Sequence, residues 1–284
     1  MSSPPRSRAF SASRQEGSSM SLSEAEARFR DEARSLDMFD ASAWLGSSSA
    51  FPLMEEGTPQ LVQNVLAGAH INGALVSHWM GSQDCSQESN QVLLREIEGY
   101  GNWYATITLN PPFPQDQGSP GLAEWEWPER AKAVRVFPAS FRYALVDWCV
   151  GTLCELLIDR HLPLFVFHTE TSFQELYSLA TRYPQLRIVL ESQVRKILYH
   201  SRMVLALMKA CPSVLLEISN YCALGLIEYT VNALGPGRLV FGTFVPANDP
   251  LVPLGLLLQA DISQDDKRAI AGGTVRQIIS EVRT

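Results

Sequence analysis

The sequence is poor in cysteine and has no long apolar run. Its five cysteines are scattered along 284 residues without metal-ligand or disulfide-framework spacing, which predicts reduced thiols in a cytoplasmic protein. No uninterrupted apolar stretch is long enough to cross a bilayer, and the N-terminus lacks the apolar core of a secretory signal. We therefore expect a protein that does not interact with membranes.

A basic stripe is also missing. The chain has 23 Lys and Arg against 30 Asp and Glu, a formal net charge of -7, and its acidic residues are spread along the sequence. This argues against a nucleic-acid-binding groove. Gly-rich phosphate loops of the Rossmann and P-loop types and the Gly-x-Ser-x-Gly motif are absent as well, so the sequence indicates no cofactor.

The overall composition is that of one globular domain. Hydrophobic residues make up 46% and charged residues 19% of the chain, as in ordinary soluble proteins. Residues 1–20 are rich in Ser, Arg and Pro and are predicted to form a disordered tail. Residues 21–284 are predicted to form a single domain, which begins with a charged helix over 21–36.

Short apolar runs alternate with helical patterns along this domain. Most of the runs show little polar alternation, as expected of parallel strands that are buried on both faces. The candidate strands are 38–41, 74–77, 104–109, 133–137, 164–168, 187–190, 214–218 and 239–242. Eight such units in about 250 residues predict the α/β class and a (β/α)₈ TIM barrel.

Local signals mark several helix ends. Thr58-Pro59 is typical of a helix start, and Ser172 with Glu175 has the spacing of a capping box. Ser263 with Asp266 has similar spacing, and Gly235-Pro236-Gly237 predicts a sharp helix end. Residues 110–128 form the longest irregular stretch, either a lid over a site or a plain surface loop.

Five segments carry a common signature in order and spacing. They are residues 39–46, 165–170, 183–190, 238–243 and 261–274. Together they resemble the first, fifth, sixth and eighth strands and the closing helices of the amidohydrolase-2 type barrels, a family of metal-dependent hydrolases and decarboxylases. The resemblance runs from Met38 to the C-terminus and implies the same barrel fold.

The positions that hold the metal in that family are altered here. The resemblance places its first-strand His-x-His at Ser42 and Trp44, and its eighth-strand Asp at Phe244. The sixth-strand His corresponds to Ser192, or to Glu191 if the register shifts by one residue.

Of the metal-binding positions that the resemblance implies, only the His at the end of the fifth strand is retained, as His168. A catalytic zinc needs about three protein ligands and an open water position, so we predict no metal in this barrel. Trp44 and Phe244 would lie together at the ends of the first and last strands. We expect them to pack against each other and close the former metal site as an aromatic plug.

Three charged residues belong to the candidate site. Arg135 sits among apolar strand residues, so it should be paired, either with a substrate carboxylate or with Glu170, Glu191 or Glu217. Glu191 and Glu217 end strands on the expected active-site side and could act as an acid/base pair, or could pair with Arg135 or cap helices.

Two histidines have open roles. His168 fits a general acid or base, or a hydrogen-bonded structural residue, and without a metal we favour the structural role. His78 follows the second strand and either faces the pocket or is an ordinary loop histidine. Trp79, Trp103 and the tryptophans of the long loop are consistent with an apolar wall, a protein-binding surface or plain packing.

Three functional hypotheses remain. The leading one is a non-catalytic barrel that partners or regulates an intact amidohydrolase-like paralogue, or forms a homo-oligomer. The second is a metal-independent hydrolase or decarboxylase-like lyase in which His168, Arg135 and Glu191 act on a small carboxylated molecule. The third is a small-molecule-binding protein.

Overall fold

The computed structural model describes residues 21–49, 51, 54–83, 86–111, 127–193 and 197–283. Eight strands form one parallel sheet in the order β1 to β8. They are β1 Met38–Leu45, β2 Ile71–His78, β3 Trp103–Thr108, β4 Ala131–Val136, β5 Leu164–Phe167, β6 Ile188–Glu191, β7 Val214–Glu217 and β8 Leu239–Val240. The predicted (β/α)₈ barrel is confirmed.

Helices follow the strands around the outside of the barrel. They are α1 Leu22–Ser35, α2 Pro59–Gly68, α3 Ser86–Glu96, α4 Asp147–Asp159, α5 Phe173–Arg182, α6 Ser201–Ala210, α7 Leu226–Leu234, α8 Leu251–Gln259, α9 Gln264–Arg268 and α10 Thr274–Ser280. Short 3₁₀ helices lie at Trp79–Ser82, Ile197–His200 and Pro236–Arg238, and a π turn joins α9 to α10 at Ala269–Gly273. Among the described residues, no helix is both long and apolar enough to cross a membrane.

Backbone hydrogen bonds between the first and last strand regions close the barrel. The amide of Ala41 donates to the carbonyl of Phe241 at 3.0 Å, and the amide of Phe244 donates to Ser42 at 2.9 Å. The amide of Trp44 donates to Val245, also at 2.9 Å. These bonds explain two differences from the predicted boundaries, since β1 is extended to Leu45 while β8 ends at Val240, where the chain turns to bond with β1.

The predicted helix ends are found where the sequence placed them. The Thr58 side chain accepts from the amide of Leu61, and Ser172 and Glu175 form a complete capping box. Gly235 ends α7 with a φ of +87°, a conformation that glycine adopts without strain. Residues 1–20 and 112–126 lie outside the described residues, so the tail and the role of the long loop remain predictions.

The barrel interior has three layers, which follow from the two-residue period of a strand. Ala133, Arg135 and Phe137 point inward in succession from β4. Ala133 belongs to an apolar cluster at the N-terminal end of the strands, which includes Phe165 and Val189. Phe137 belongs to an aromatic cluster at the C-terminal end. Arg135 lies between them, so a charged layer is enclosed between two apolar ones.

Candidate functional site

The centre of the charged layer is an ion pair between Arg135 on β4 and Glu191 at the end of β6. Arg135 Nε donates to Glu191 Oε2 at 3.0 Å, and Arg135 Nη2 donates to Glu191 Oε1. Both residues have zero solvent exposure. Bidentate geometry is the arrangement in which a guanidinium binds a carboxylate most strongly, so the pair satisfies the rule that buried charges are compensated.

Two serines form hydrogen bonds with this ion pair. Ser42 Oγ on β1 donates to Glu191 Oε1 at 2.8 Å, and Arg135 Nη1 donates to Ser77 Oγ on β2. Burial raises the pKa of Glu191, while the charge of Arg135 works to lower it. The Arg135 side chain therefore connects β4 with β2 and β6, and Glu191 connects the pair to β1.

Glu217, at the end of β7, is a second buried carboxyl group. It accepts from both the amide and the hydroxyl of Ser192, and from the amide and hydroxyl of Ser219, at 2.6 to 3.2 Å. Burial, followed by the charge of Glu191, raises the pKa of Glu217 to about 8. Glu217 is thus fully occupied by hydrogen bonds within the chain rather than directed at an open site.

Asp40 on β1 is a third buried carboxyl group, and it helps close the barrel. It accepts from the amide and hydroxyl of Thr243, beyond β8, and from the amide of Ser42 at 2.9 Å. Burial raises its pKa to about 6. Sequence reasoning did not single out this carboxyl group or Thr243 as a pair, because 203 residues separate them.

The predicted aromatic plug is present and is larger than expected. The Trp44 and Phe244 rings meet edge to face with centroids 5.9 Å apart, and each side chain is at most 1% exposed. Trp79 stacks on Trp44 with ring centroids 4.0 Å apart, and Phe167 also stacks on Trp44, at 5.6 Å. Phe137 completes this cluster. The barrel mouth at this level is therefore filled by five rings, which we call the aromatic plug.

Phe244 adopts a φ of +63°, a conformation that is a genuine outlier for a bulky residue. Its amide bond to Ser42 and the bond from the Val245 amide to Thr243 Oγ1 at 3.2 Å fix this turn. Asp and Asn tolerate such a conformation far better than Phe. The backbone at this position is therefore better suited to the Asp that the resemblance implies than to the Phe that is present.

The two candidate histidines adjoin residues of the plug in sequence, and each contacts a backbone group. The Nδ1 atom of His168 lies 3.2 Å from the carbonyl oxygen of Glu191, and its ring centroid is 5.9 Å from that of His200. His78 accepts from the amide of Met80, and its Nε2 lies 3.7 Å from Glu96 Oε2. Burial lowers the pKa of His78, which favours the neutral ring.

These side chains do not fit the divalent metal that the fold family implies. Ser42 and Ser192 use their hydroxyl groups on Glu191 and Glu217, and the rings at Trp44 and Phe244 have no metal-donor atoms. The permanent positive charge of Arg135 lies against both Trp44 and Glu191. Among the residues described above, no three His, Cys, Asp or Glu side chains are grouped closely enough to hold a metal ion.

The structure brings most of the sequence-predicted site residues together. Arg135 contacts Glu191 and Trp44, and Ser42 is hydrogen-bonded to both Glu191 and Trp44. Ser192 and Glu217 form a neighbouring hydrogen-bonded group. Of the three acids proposed as partners of Arg135, the structure selects Glu191. Glu170 instead accepts from Ser140 near the surface. Because Arg135 has no exposure, the alternative of a substrate carboxylate at this position does not fit.

The role of tryptophans as an apolar wall around an open pocket does not fit either. Trp79 belongs to the aromatic plug, Trp103 stacks on Tyr100, and Trp127 donates to the carbonyl of Ala131. All three tryptophans are at most 8% exposed. Phe137 and Phe167 were missed at the sequence level, although the two-residue spacing of Phe137 from Arg135 was a usable signal.

Comparison with known proteins gives matches at the level of structure alone. No protein-family model and no curated protein matches the chain. An amidohydrolase from Burkholderia multivorans with bound zinc matches with a TM-score of 0.66 and 13% identity, covering 86% of this chain and 99% of that one.

Two decarboxylases have the same barrel. The 5-carboxyvanillate decarboxylase of Sphingomonas paucimobilis matches with a TM-score of 0.64 and 12% identity over 87% of this chain and 100% of that one. A 2,6-dihydroxybenzoate decarboxylase bound to 2,6-dihydroxybenzoate matches with a TM-score of 0.64 and 9% identity over 86% and 99%. The resemblance to amidohydrolase-type barrels is therefore confirmed for the fold, since identities this low carry nothing about activity.

Proposed function

We propose that this chain is a non-catalytic amidohydrolase-like barrel that acts as a subunit, binding and regulating an intact barrel of the same type. The observation that carries the proposal is the aromatic plug. In TIM-barrel enzymes the active site lies at the C-terminal ends of the strands, and here that position is filled by Trp44, Trp79, Phe137, Phe167 and Phe244.

The ionisable residues below the plug support the same conclusion. A general acid or base must come within hydrogen-bond reach of the proton it transfers. Glu191, Glu217 and Arg135 are fully buried and bound to one another or to serines. A substrate would have to displace five packed rings before it could contact any of them.

Metal analysis with a set of restoring variants tests the loss of the metal site. We expect the purified protein to carry no stoichiometric zinc, manganese or iron after growth with added metal. The triple variant Ser42→His, Trp44→His, Phe244→Asp should still bind poorly, because the Arg135 guanidinium stays in place. Adding Arg135→Leu should allow zinc to bind. Stoichiometric metal in the unmodified chain would overturn both the proposal and the mapping of the ligands.

A partner assay tests the subunit role. The chain should form a complex with a related barrel, encoded beside it, that retains the His-x-His and Asp motifs, and should change that partner's activity on its substrate. As a control, Trp148→Ala changes an 83% exposed residue on the outside of α4. This variant should form the same complex and have the same effect on the partner. If no complex forms with such a partner and the partner's activity does not change, this role is excluded.

One observation favours a second candidate, a metal-independent hydrolase or lyase. The ring of His168, which is 7% exposed, lies 5.9 Å from that of the exposed His200, so a small substrate bound at His200 would come close to His168 without entering the barrel. A panel of activated esters and aromatic carboxylic acids would detect such an activity. Turnover that is lost in His168→Asn and unchanged in His161→Asn would favour this enzyme over the non-catalytic subunit.

A further inference from the structure

The exposed apolar side chains are concentrated at one end of the barrel. Among the described residues, nine large hydrophobic side chains are more than about a third exposed. Every one lies in the first half of a helix or in the segment just before it. Helices of a (β/α)₈ barrel run back from the C-terminal ends of the strands, so all nine lie in the half of the molecule that carries the aromatic plug.

Seven of them lie on three successive helices or just before them, and the six that are more than 40% exposed define one surface. These six are Tyr199 and Met203 at α6, Leu224 and Tyr229 at α7, and Leu251 and Val252 at α8. The helices α6 and α7 pack together, and the amide of Asp261 beyond α8 donates to Glu228 on α7 at 3.1 Å. We call this surface the α6–α8 face.

The outer side of α8 is unusual for a surface helix. The helix LVPLGLLLQ contains no charged residue, and a helix that is apolar all round is normally buried. Leu251 and Val252 are 49% and 52% exposed, and Gly255 one turn later has open space where a Cβ would lie. A second protein surface could therefore approach this helix closely.

The six side chains of the α6–α8 face are strongly exposed. Their exposed fractions range from 49% at Leu251 to nearly complete exposure at Leu224. Apolar patches of a few hundred Å² or more on a soluble protein commonly mark interaction sites.

The charges at the two ends of the face have opposite signs. Arg202 on α6 and Asp249 just before α8 are both exposed, and neither has an ion-pair partner among the residues described. Asp249 accepts only from the amide of Leu251, at 2.9 Å. Both lie near the helix starts, at the same level of the barrel, with α7 between them.

We propose that the α6–α8 face pairs with the same face of a second copy of this chain, about a two-fold axis that runs along α7. A two-fold axis makes an interface self-complementary. It places α6 of one copy against α8 of its partner, so the apolar residues meet and each Arg202 faces the partner's Asp249. A related barrel with the same face could replace one copy, but the pairing does not depend on whether the site is catalytic.

The first experiment measures the mass of the protein in solution by light scattering and sedimentation. At tens of micromolar we expect a particle of two 31.5 kDa chains. Leu224→Ser combined with Tyr229→Ser should raise the dimer dissociation constant at least about a hundredfold, as expected for two apolar residues near the centre of an interface. The control Trp148→Ala should leave it unchanged. A monomeric unmodified protein, or equal weakening in the control, would overturn the proposal.

A charge exchange tests the two-fold arrangement itself. Arg202→Asp alone and Asp249→Arg alone each bring like charges together twice in the dimer and should weaken it about tenfold or more. Mixing the two variants should restore dimers, because both cross-pairs are then of opposite sign. The R202D/D249R double variant should also dimerise. If single variants are folded by circular dichroism but mixing restores nothing, the faces do not meet as proposed. A lone chain that stays monomeric and pairs only with a related barrel would likewise overturn the second copy as the occupant.

Discussion

The guanidinium carbon of Arg135 lies 4.2 Å from the centroid of the Trp44 ring, and neither side chain is exposed to solvent. The face of an indole ring carries negative electrostatic potential and attracts a cation. Glu191 binds the same guanidinium through both carboxylate oxygens. The barrel thus contains a positive charge of its own, supplied by β4 and surrounded by groups from β1, β2 and β6.

Removing only one partner of this ion pair should be strongly destabilising. Arg135→Leu leaves Glu191 buried without its cation, and we expect a loss of about 3–5 kcal/mol in the free energy of unfolding. The double variant Arg135→Leu, Glu191→Leu should be more stable than the single variant, because no uncompensated charge remains. Denaturant unfolding at neutral pH measures both.

The control for this prediction is an exposed pair. Arg182 and Asp147 lie 3.6 Å apart with more than half of each side chain exposed. Arg182→Leu should cost less than about 1 kcal/mol, since solvent screens such pairs. Equal losses in the Arg135 and Arg182 variants would contradict the role given to the buried pair.

Glu217 should make the protein less stable as the pH rises. Burial raises its pKa from 4.5 to about 8, so between these values the folded chain binds a proton that the unfolded chain does not. Stability therefore falls as pH increases through this window. The contribution is on the order of 5 kcal/mol at most, given about 1.4 kcal/mol per pKa unit.

The isosteric change Glu217→Gln isolates this effect. Unfolding free energies measured from pH 5 to pH 9 should fall less steeply in the variant than in the unmodified protein. Asp40, with a pKa raised to about 6, adds a smaller effect of the same sign in both proteins, so only the difference between them reports Glu217. Identical pH profiles would show that Glu217 titrates normally.

Because the backbone at Phe244 is left-handed, we expect the usual stability order of Ala and Gly variants to be reversed there. Truncating a buried Phe typically costs 3–5 kcal/mol, and both Phe244→Ala and Phe244→Gly should lose the ring contacts with Trp44 and Trp79. Glycine adopts a positive φ without steric cost, whereas alanine does not. We expect the Gly variant to be more stable than the Ala variant by about 1 kcal/mol.

Phe167 provides the matched control. It belongs to the same aromatic plug and lies in β5 with a negative φ. There the usual order should hold, with Phe167→Ala more stable than Phe167→Gly. Thermal unfolding of the four variants decides the point, and the same order at both positions would remove the argument that Phe244 occupies a conformation suited to Asp.

The sequence alone indicated the barrel and the approximate positions of its eight strands. Eight apolar runs separated by helical patterns define the strands, because parallel strands are buried on both faces and so need little alternation. Caps such as Ser172 with Glu175 act within four residues, and such local signals can be read directly. The loss of metal donors at Ser42, Trp44, Ser192 and Phe244 was also readable, since it depends on residue chemistry at aligned positions.

Only the tertiary structure decided which side chains fill the position of the family's metal site and how they pair. The choice of Glu191 over Glu170 and Glu217 as the partner of Arg135 depends on which strand ends converge, over a separation of 56 residues. The pairing of Asp40 with Thr243 and the inclusion of Trp79, Phe137 and Phe167 in the plug arise when β1 meets β8 and the barrel closes. Sequence patterns specify local elements and the faces they bury, whereas the neighbours of each buried side chain are set by the closure of the sheet.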